Sequence, residues 1–117
     1  NIINKEYAIT NRKITLEEKE IRIKITKEDF VTYGNSVLED FKEFSDNTKG
    51  IERVKLNFEG VKVNFDKKKG DGWLLMRLSL HEPLLVVNCE SNSIGGTEKM
   101  VEILKDFLKN YNLDLNF

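Results

Sequence analysis

Two nearly continuous apolar runs, WLLMRLS at residues 73–79 and LLVVNCE at residues 84–90, constrain this chain more than any other feature. Each has the length of a strand, and an unbroken apolar run of that length belongs to a strand covered on both faces or held at the centre of a sheet. Leu80, His81, Glu82 and the single proline, Pro83, separate them. The first run is itself interrupted by Arg77 and followed by Ser79. A plain turn between two core strands requires neither an arginine nor a histidine, so the loop needs an explanation of its own.

The flanking sequence supplies the rest of the sheet. Ile21, Ile23 and Ile25 alternate with Arg22, Lys24 and Thr26, the period-2 pattern of a half-buried strand beginning at Glu20. Thr26, with Asp29 three residues on, reads as a helix start, a hydroxyl and a carboxylate placed near the orphan amides. Phe30, Val37, Leu38, Phe41 and Phe44 then recur at helical spacing to about Ser45, with Gly34 as a weak point. Beyond the turn SDNTKG, the alternation of Val54, Leu56 and Phe58 and that of Val61, Val63 and Phe65 read as a hairpin closed at Glu59-Gly60. The two apolar runs follow, with Trp73 expected to be buried at the start of the first. A last helix carries Met100, Val101, Leu104, Phe107, Leu108 and Tyr111 on one stripe. The order β-α-β-β-β-β-α predicts an α+β fold, an antiparallel sheet with both helices on one face. Residues 1–19, polar and without sustained period, read as a lead-in or linker to a domain over residues 20–117.

Composition narrows the partners. The 117 residues suit one domain with its own core, and 19 Lys plus Arg against 20 Asp plus Glu leave no charge excess to attract nucleic acid or a membrane surface. No apolar run approaches a membrane span, and the N-terminus has no secretory h-region. A lone cysteine, Cys89, excludes an internal disulfide and fits a reducing, cytoplasmic compartment; it reads as a small buried hydrophobe. The start without methionine suggests a piece of a longer chain.

Among side chains that could carry chemistry, paired catalytic motifs such as HExxH, GxSxG or CxxC are missing, so self-contained catalysis is not expected. Anion binding is better served. Arg77 offers a planar fork of donors, Ser79 a hydroxyl, residues 79–82 a run of backbone amides, and His81 an imidazole that can donate or carry charge. Pro83 stiffens the exit. Two other places compete: the lysines at 67–69, which read more simply as a solvated turn, and Gly95-Gly96 ahead of the last helix, an anion nest or, more simply, a connector with Thr97 as N-cap. Arg77 also has a plain reading as a strand arginine paired with Glu82, and His81 as an ordinary turn residue.

The stretch DGWLLMRLSLHEPLLVVNCES, followed by an amphipathic helix, resembles the C-terminal domain of the α-D-phosphohexomutases, the phosphomannomutase and phosphoglucomutase family. Its pattern there is D-G-W, a strand, R-x-S-[GN]-T-x-P, and a strand ending in an acidic residue. FEGVKVNF is similar to the family's D-G-V-[RK]-V hairpin and EIRIKITKEDF to its first strand. The resemblance implies a fold like that of the TATA-box-binding protein and a substrate-phosphate clamp in an enzyme that moves a phosphoryl group between the 1 and 6 positions of a hexose phosphate. Arg77 and Ser79 match the family's phosphate ligands; Leu80 stands where glycine or asparagine is usual and His81 where threonine is. The phosphoserine and magnesium of such an enzyme belong to its other domains, which would be this domain's partners beside the hexose phosphate, so no cofactor and no turnover are expected here. The alternative is a free-standing α+β interaction or nucleic-acid-binding module with no phosphosugar role.

Overall fold

A computed structural model of the chain describes residues 15–55, 57 and 59–117, and its elements follow the expected order. They are β1 (Glu17–Lys24), α1 (Phe30–Asp46), β2 (Ile51–Arg53), β3 (Val61–Phe65), β4 (Gly72–Leu78), β5 (Leu84–Ser91) and α2 (Gly96–Leu108). The strands form a five-stranded sheet in the order β1-β5-β4-β3-β2, every neighbouring pair antiparallel. The fold is α+β. The apolar runs are β4 and β5, and both lie inside the sheet, flanked on each side by another strand.

Alternation decides which residues meet the helices. Ile21 and Ile23 from β1, Leu85, Val87 and Cys89 from β5, Leu74 and Met76 from β4, and Val61, Val63 and Phe65 from β3 share one core with Val37, Leu38 and Phe41 of α1 and Met100, Val101, Leu104 and Leu108 of α2. Both helices thus cover one face. Phe41, Phe44, Phe107 and Tyr111 form a chain of rings 4.9 to 6.2 Å apart that joins the two helices, tilted and offset contacts of the kind aromatic pairs favour. The opposite face carries Glu18, Glu20, Arg22, Lys24, Lys62, Trp73, Arg77 and Glu90, yet Leu75 and Val86 on that side are only 9 % and 3 % exposed. Their burial is why the two runs are nearly unbroken.

Several boundaries differ from expectation. β1 starts at Glu17, three residues before the predicted domain edge, because Glu17, Glu18 and Lys19 already pair with Ser91, Glu90 and Cys89. Residues 1–14 of the predicted lead-in lie outside the described residues. The cap of α1 is Asp29, whose carboxylate accepts from the Thr32 amide, and not Thr26; an acidic cap also meets the positive end of the helix dipole. β2 is shorter and earlier than the alternation of Val54, Leu56 and Phe58 implied. Gly50, at φ +89°, turns the chain so that Ile51 pairs with Phe65, and Asn57 ends the run by accepting from the Glu59 and Gly60 amides. Leu56 and Phe58 themselves are outside the described residues. α2 ends at Leu108, so Tyr111 reaches the aromatic chain from the turn beyond it. The last residues fold back to β1, where Ile25 bridges Leu113 and the Asp114 amide donates to the Lys24 carbonyl.

Candidate functional site

The β4–β5 loop rises from the two inner strands, and three contacts at its base hold it. The Ser79 amide donates to the Leu84 carbonyl at 2.9 Å, the Leu84 amide to Glu82, and the Ile25 amide to the Pro83 carbonyl at 2.7 Å. Leu78 points into the helix side and meets Gly34 of α1, where a Cβ would lie 2.5 Å from Leu78 Cδ1. The glycine that weakens the helix in isolation is thus the seat for the strand that carries the loop. Gly60 has a matching role on the other side: a Cβ there would stand 2.3 Å from the Met76 carbonyl oxygen and 2.9 Å from Arg77 Cβ. The β2–β3 turn can therefore lie directly against Arg77.

Arg77 and Ser79 both face away from the helices, since Met76 and Leu78 face them. Arg77 is half-buried and pairs across the sheet with Val86. Among the described residues no carboxylate lies within the 4.0 Å of an ion pair with it, so the plain reading of an Arg77–Glu82 pair does not hold. The amides of Leu80, His81 and Glu82 donate to no acceptor among the described residues, whereas that of Ser79 is used in the ladder. The expected set of amides thus shrinks by one. Leu80 and His81 are exposed, Leu80 at 74 %. Leu80 does not take the left-handed conformation that a glycine there would suit; among the described residues the one non-glycine that does is Asp71, at φ 55°. Leucine is sterically acceptable at that point of the loop.

The competing site ahead of α2 is filled from within the chain. At the start of α2, Gly95 (φ +80°) and Thr97 present amides to the Glu17 carboxylate at 2.9 and 3.1 Å, and the Thr97 hydroxyl donates to it at 2.9 Å. These bonds, the Gly95 amide first, hold the Glu17 carboxyl below the usual range. The helix is capped by a strand residue, and Thr97 is a donor to that cap where it was expected to be the N-cap. The lysines at 67–69 sit on a turn closed by Asp66, whose carbonyl accepts from the Lys69 and Asp71 amides. Lys67 and Lys68 are exposed.

Trp73 is not in the core. It lies on the helix-free face, half-buried, with Lys62 Nζ 4.6 Å from its ring centroid. Asp71 and Gly72 ahead of it shape the strand entry: the Asn92 amide donates to the Asp71 carbonyl at 2.8 Å, and a Cβ on Gly72 would stand 1.8 Å from the Glu90 carbonyl. The D-G pair has a purely structural cause. Cys89 is buried on the helix side, and desolvation pushes its thiol up to about 11, the behaviour of an inert core thiol.

Chemically, the loop joins one guanidinium, a hydroxyl, an imidazole and three adjacent amides with no acceptor among the described residues, donors that suit an oxyanion, with the exposed Glu82 carboxylate beside them. Among the described residues no group of three histidine, cysteine, aspartate or glutamate side chains gathers to hold a metal ion, and no helix is long and apolar enough to cross a membrane. Glu17 went unnoticed in the sequence because its partners lie 78 and 80 residues away. No protein-family model matches the chain, and no curated protein matches it.

Proposed function

We propose that this domain is the substrate-phosphate clamp of a phosphohexomutase, an enzyme that shifts a phosphoryl group between the 1 and 6 positions of a hexose phosphate. One observation carries the reading: Arg77, without a carboxylate partner among the described residues, stands at the foot of a loop with three consecutive unengaged amides. A dianionic phosphate answers both needs, a bidentate partner for the guanidinium and acceptors for the amides. Ser79 adds a hydroxyl on the same face, and the exposed His81 can reach the ligand from the loop tip.

The clamp does no chemistry itself. Gripping the phosphate remote from the reacting oxygen uses binding energy to orient the sugar, and the phosphoserine and magnesium that perform transfer reside in other domains of the parent enzyme. Those domains are the partners, and the compartment is the cytoplasm, in keeping with a free buried thiol. Two measurements test the reading. Glucose 6-phosphate should bind this domain weakly, with Kd on the order of millimolar because the rest of the cleft is absent. A coupled mutase assay with magnesium and a bisphosphate activator should show no turnover. Turnover above blank, or no saturable binding of glucose 6-phosphate at tens of millimolar, contradicts it.

A further inference from the structure

The sheet register assembles rows that cross several strands on the helix-free face. Glu18, Glu90, Trp73, Asn64 and Glu52 form one row, partner to partner, and Glu20, Asn88, Leu75 and Lys62 the next. The third is Arg22, Val86 and Arg77, and the fourth, at the loop end, begins with Lys24 and Leu84. The face is therefore polarised. Carboxylates collect at the end away from the β4–β5 loop, and Arg22, Lys24 and Arg77 collect beneath it.

We infer that Arg22 and Lys24 of β1 are a second arm of the anion site, closing on the same phosphate monoester dianion that Arg77 and the loop amides hold. The inference rests on the clamp reading and extends it to a strand nearly sixty residues away in sequence. Ile21 and Ile23 are 5 % and 0 % exposed in the core, so Arg22 and Lys24 point to the helix-free face, the face of Arg77, and both are exposed. Only Val86 separates Arg22 from Arg77. Two strand spacings put their Cα atoms about 10 Å apart, a gap that two arginine side chains leaning together bridge with an anion between them.

Among the described residues neither Arg22 nor Lys24 has a carboxylate within 4.0 Å. Glu20 occupies the adjacent row toward the acidic end, and Asp114 lies beside Lys24 on the returning tail with its carboxylate accepting from the Asn116 amide. The loop's own Pro83 carbonyl accepts from the Ile25 amide, which ties the end of β1 to the loop. Two arginines and a lysine against one dianion also favour phosphate over singly charged oxyanions.

The test is binding of inorganic phosphate and of glucose 6-phosphate at pH 7.5 and low salt to the parent, Arg22→Gln, Lys24→Gln, Arg77→Gln and Lys67→Gln, each confirmed folded by its amide spectrum. Arg22→Gln should weaken both ligands about tenfold, Lys24→Gln about threefold, and Lys67→Gln not at all. If Arg22→Gln and Lys24→Gln bind like the parent while Arg77→Gln loses binding, the second arm is wrong and the clamp reading stands. If Arg22→Gln loses binding while Arg77→Gln does not, an anion site on β1 survives but the clamp reading falls. Equal loss in Lys67→Gln and Arg22→Gln would mean a diffuse field and no arm.

Discussion

The turn ahead of α2 and the loop between β4 and β5 both present runs of backbone N–H groups, and either pattern alone reads as an anion cradle. They differ in what fills them. At the helix start the Gly95 and Thr97 amides and the Thr97 hydroxyl converge on Glu17, a carboxylate supplied by the chain itself. At the loop the Leu80, His81 and Glu82 amides have no acceptor among the described residues, and Arg77 has no acid. A cradle with an internal anion is a structural joint, here between β1 and α2. One left open beside a cation has donors to spare, which is the basis of the clamp proposal.

The comparison breaks most sharply through Gly96, on the closed side. A Cβ there would lie 1.8 Å from Ser91 Oγ and 2.2 Å from the Gly70 carbonyl oxygen. Gly96→Ala should therefore cost about 3 kcal/mol, the upper end of overpacking penalties, read as a lower urea midpoint at unchanged slope. A midpoint like the parent's would mean that the joint is loose.

Glu17→Gln sharpens the same side through pH. The folded Glu17 carboxyl sits below its ordinary value of 4.5, so ionised Glu17 adds stability that is fully present above 4.5 and is lost as pH falls through the lowered folded value. The parent should unfold at higher temperature than Glu17→Gln at pH 7, with the two midpoints converging as pH drops below 4.5. A gap independent of pH would show that the carboxylate is not the cap.

The smallest effect belongs to the open side. Leu80 is 74 % exposed, so Leu80→Ala should change stability by less than about 0.5 kcal/mol. A loss several times larger would mean that the loop is a folded joint like the other.

How much of this was legible beforehand follows from how local each cause is. Ile21, Ile23 and Ile25 announce β1 because alternation is a property of neighbours, and the stripe of Met100, Val101, Leu104 and Leu108 announces α2 for the same reason. The loop was visible because Arg77 and Ser79 break an apolar run. Trp73, expected to be buried, is only half-buried because a nearly unbroken apolar run hides which positions alternate outward; Leu75 and Val86 are buried opposite the helices for reasons of sheet position. β2 was misplaced because Val54, Leu56 and Phe58 alternate as a strand would, while the register was set by Gly50 and Asn57. The capping role of Glu17 was not visible, because its partners Gly95 and Thr97 lie beyond β5 and only the placing of β1 beside β5 brings them near.

The central claim is that the β4–β5 loop is open to an oxyanion and the helix start is not, and a phosphate titration followed by amide chemical shifts tests it most directly. The account predicts saturable shifts at Leu80, His81 and Glu82, still amides at Gly95, Gly96 and Thr97, and shifts that weaken with added salt. Arg77→Lys should reduce them despite keeping the charge, because an ammonium cannot make the two-pronged contact. Shifts gathered at Gly95 to Thr97 or at the lysines of residues 67–69, with Arg77→Lys indistinguishable from the parent, would contradict it.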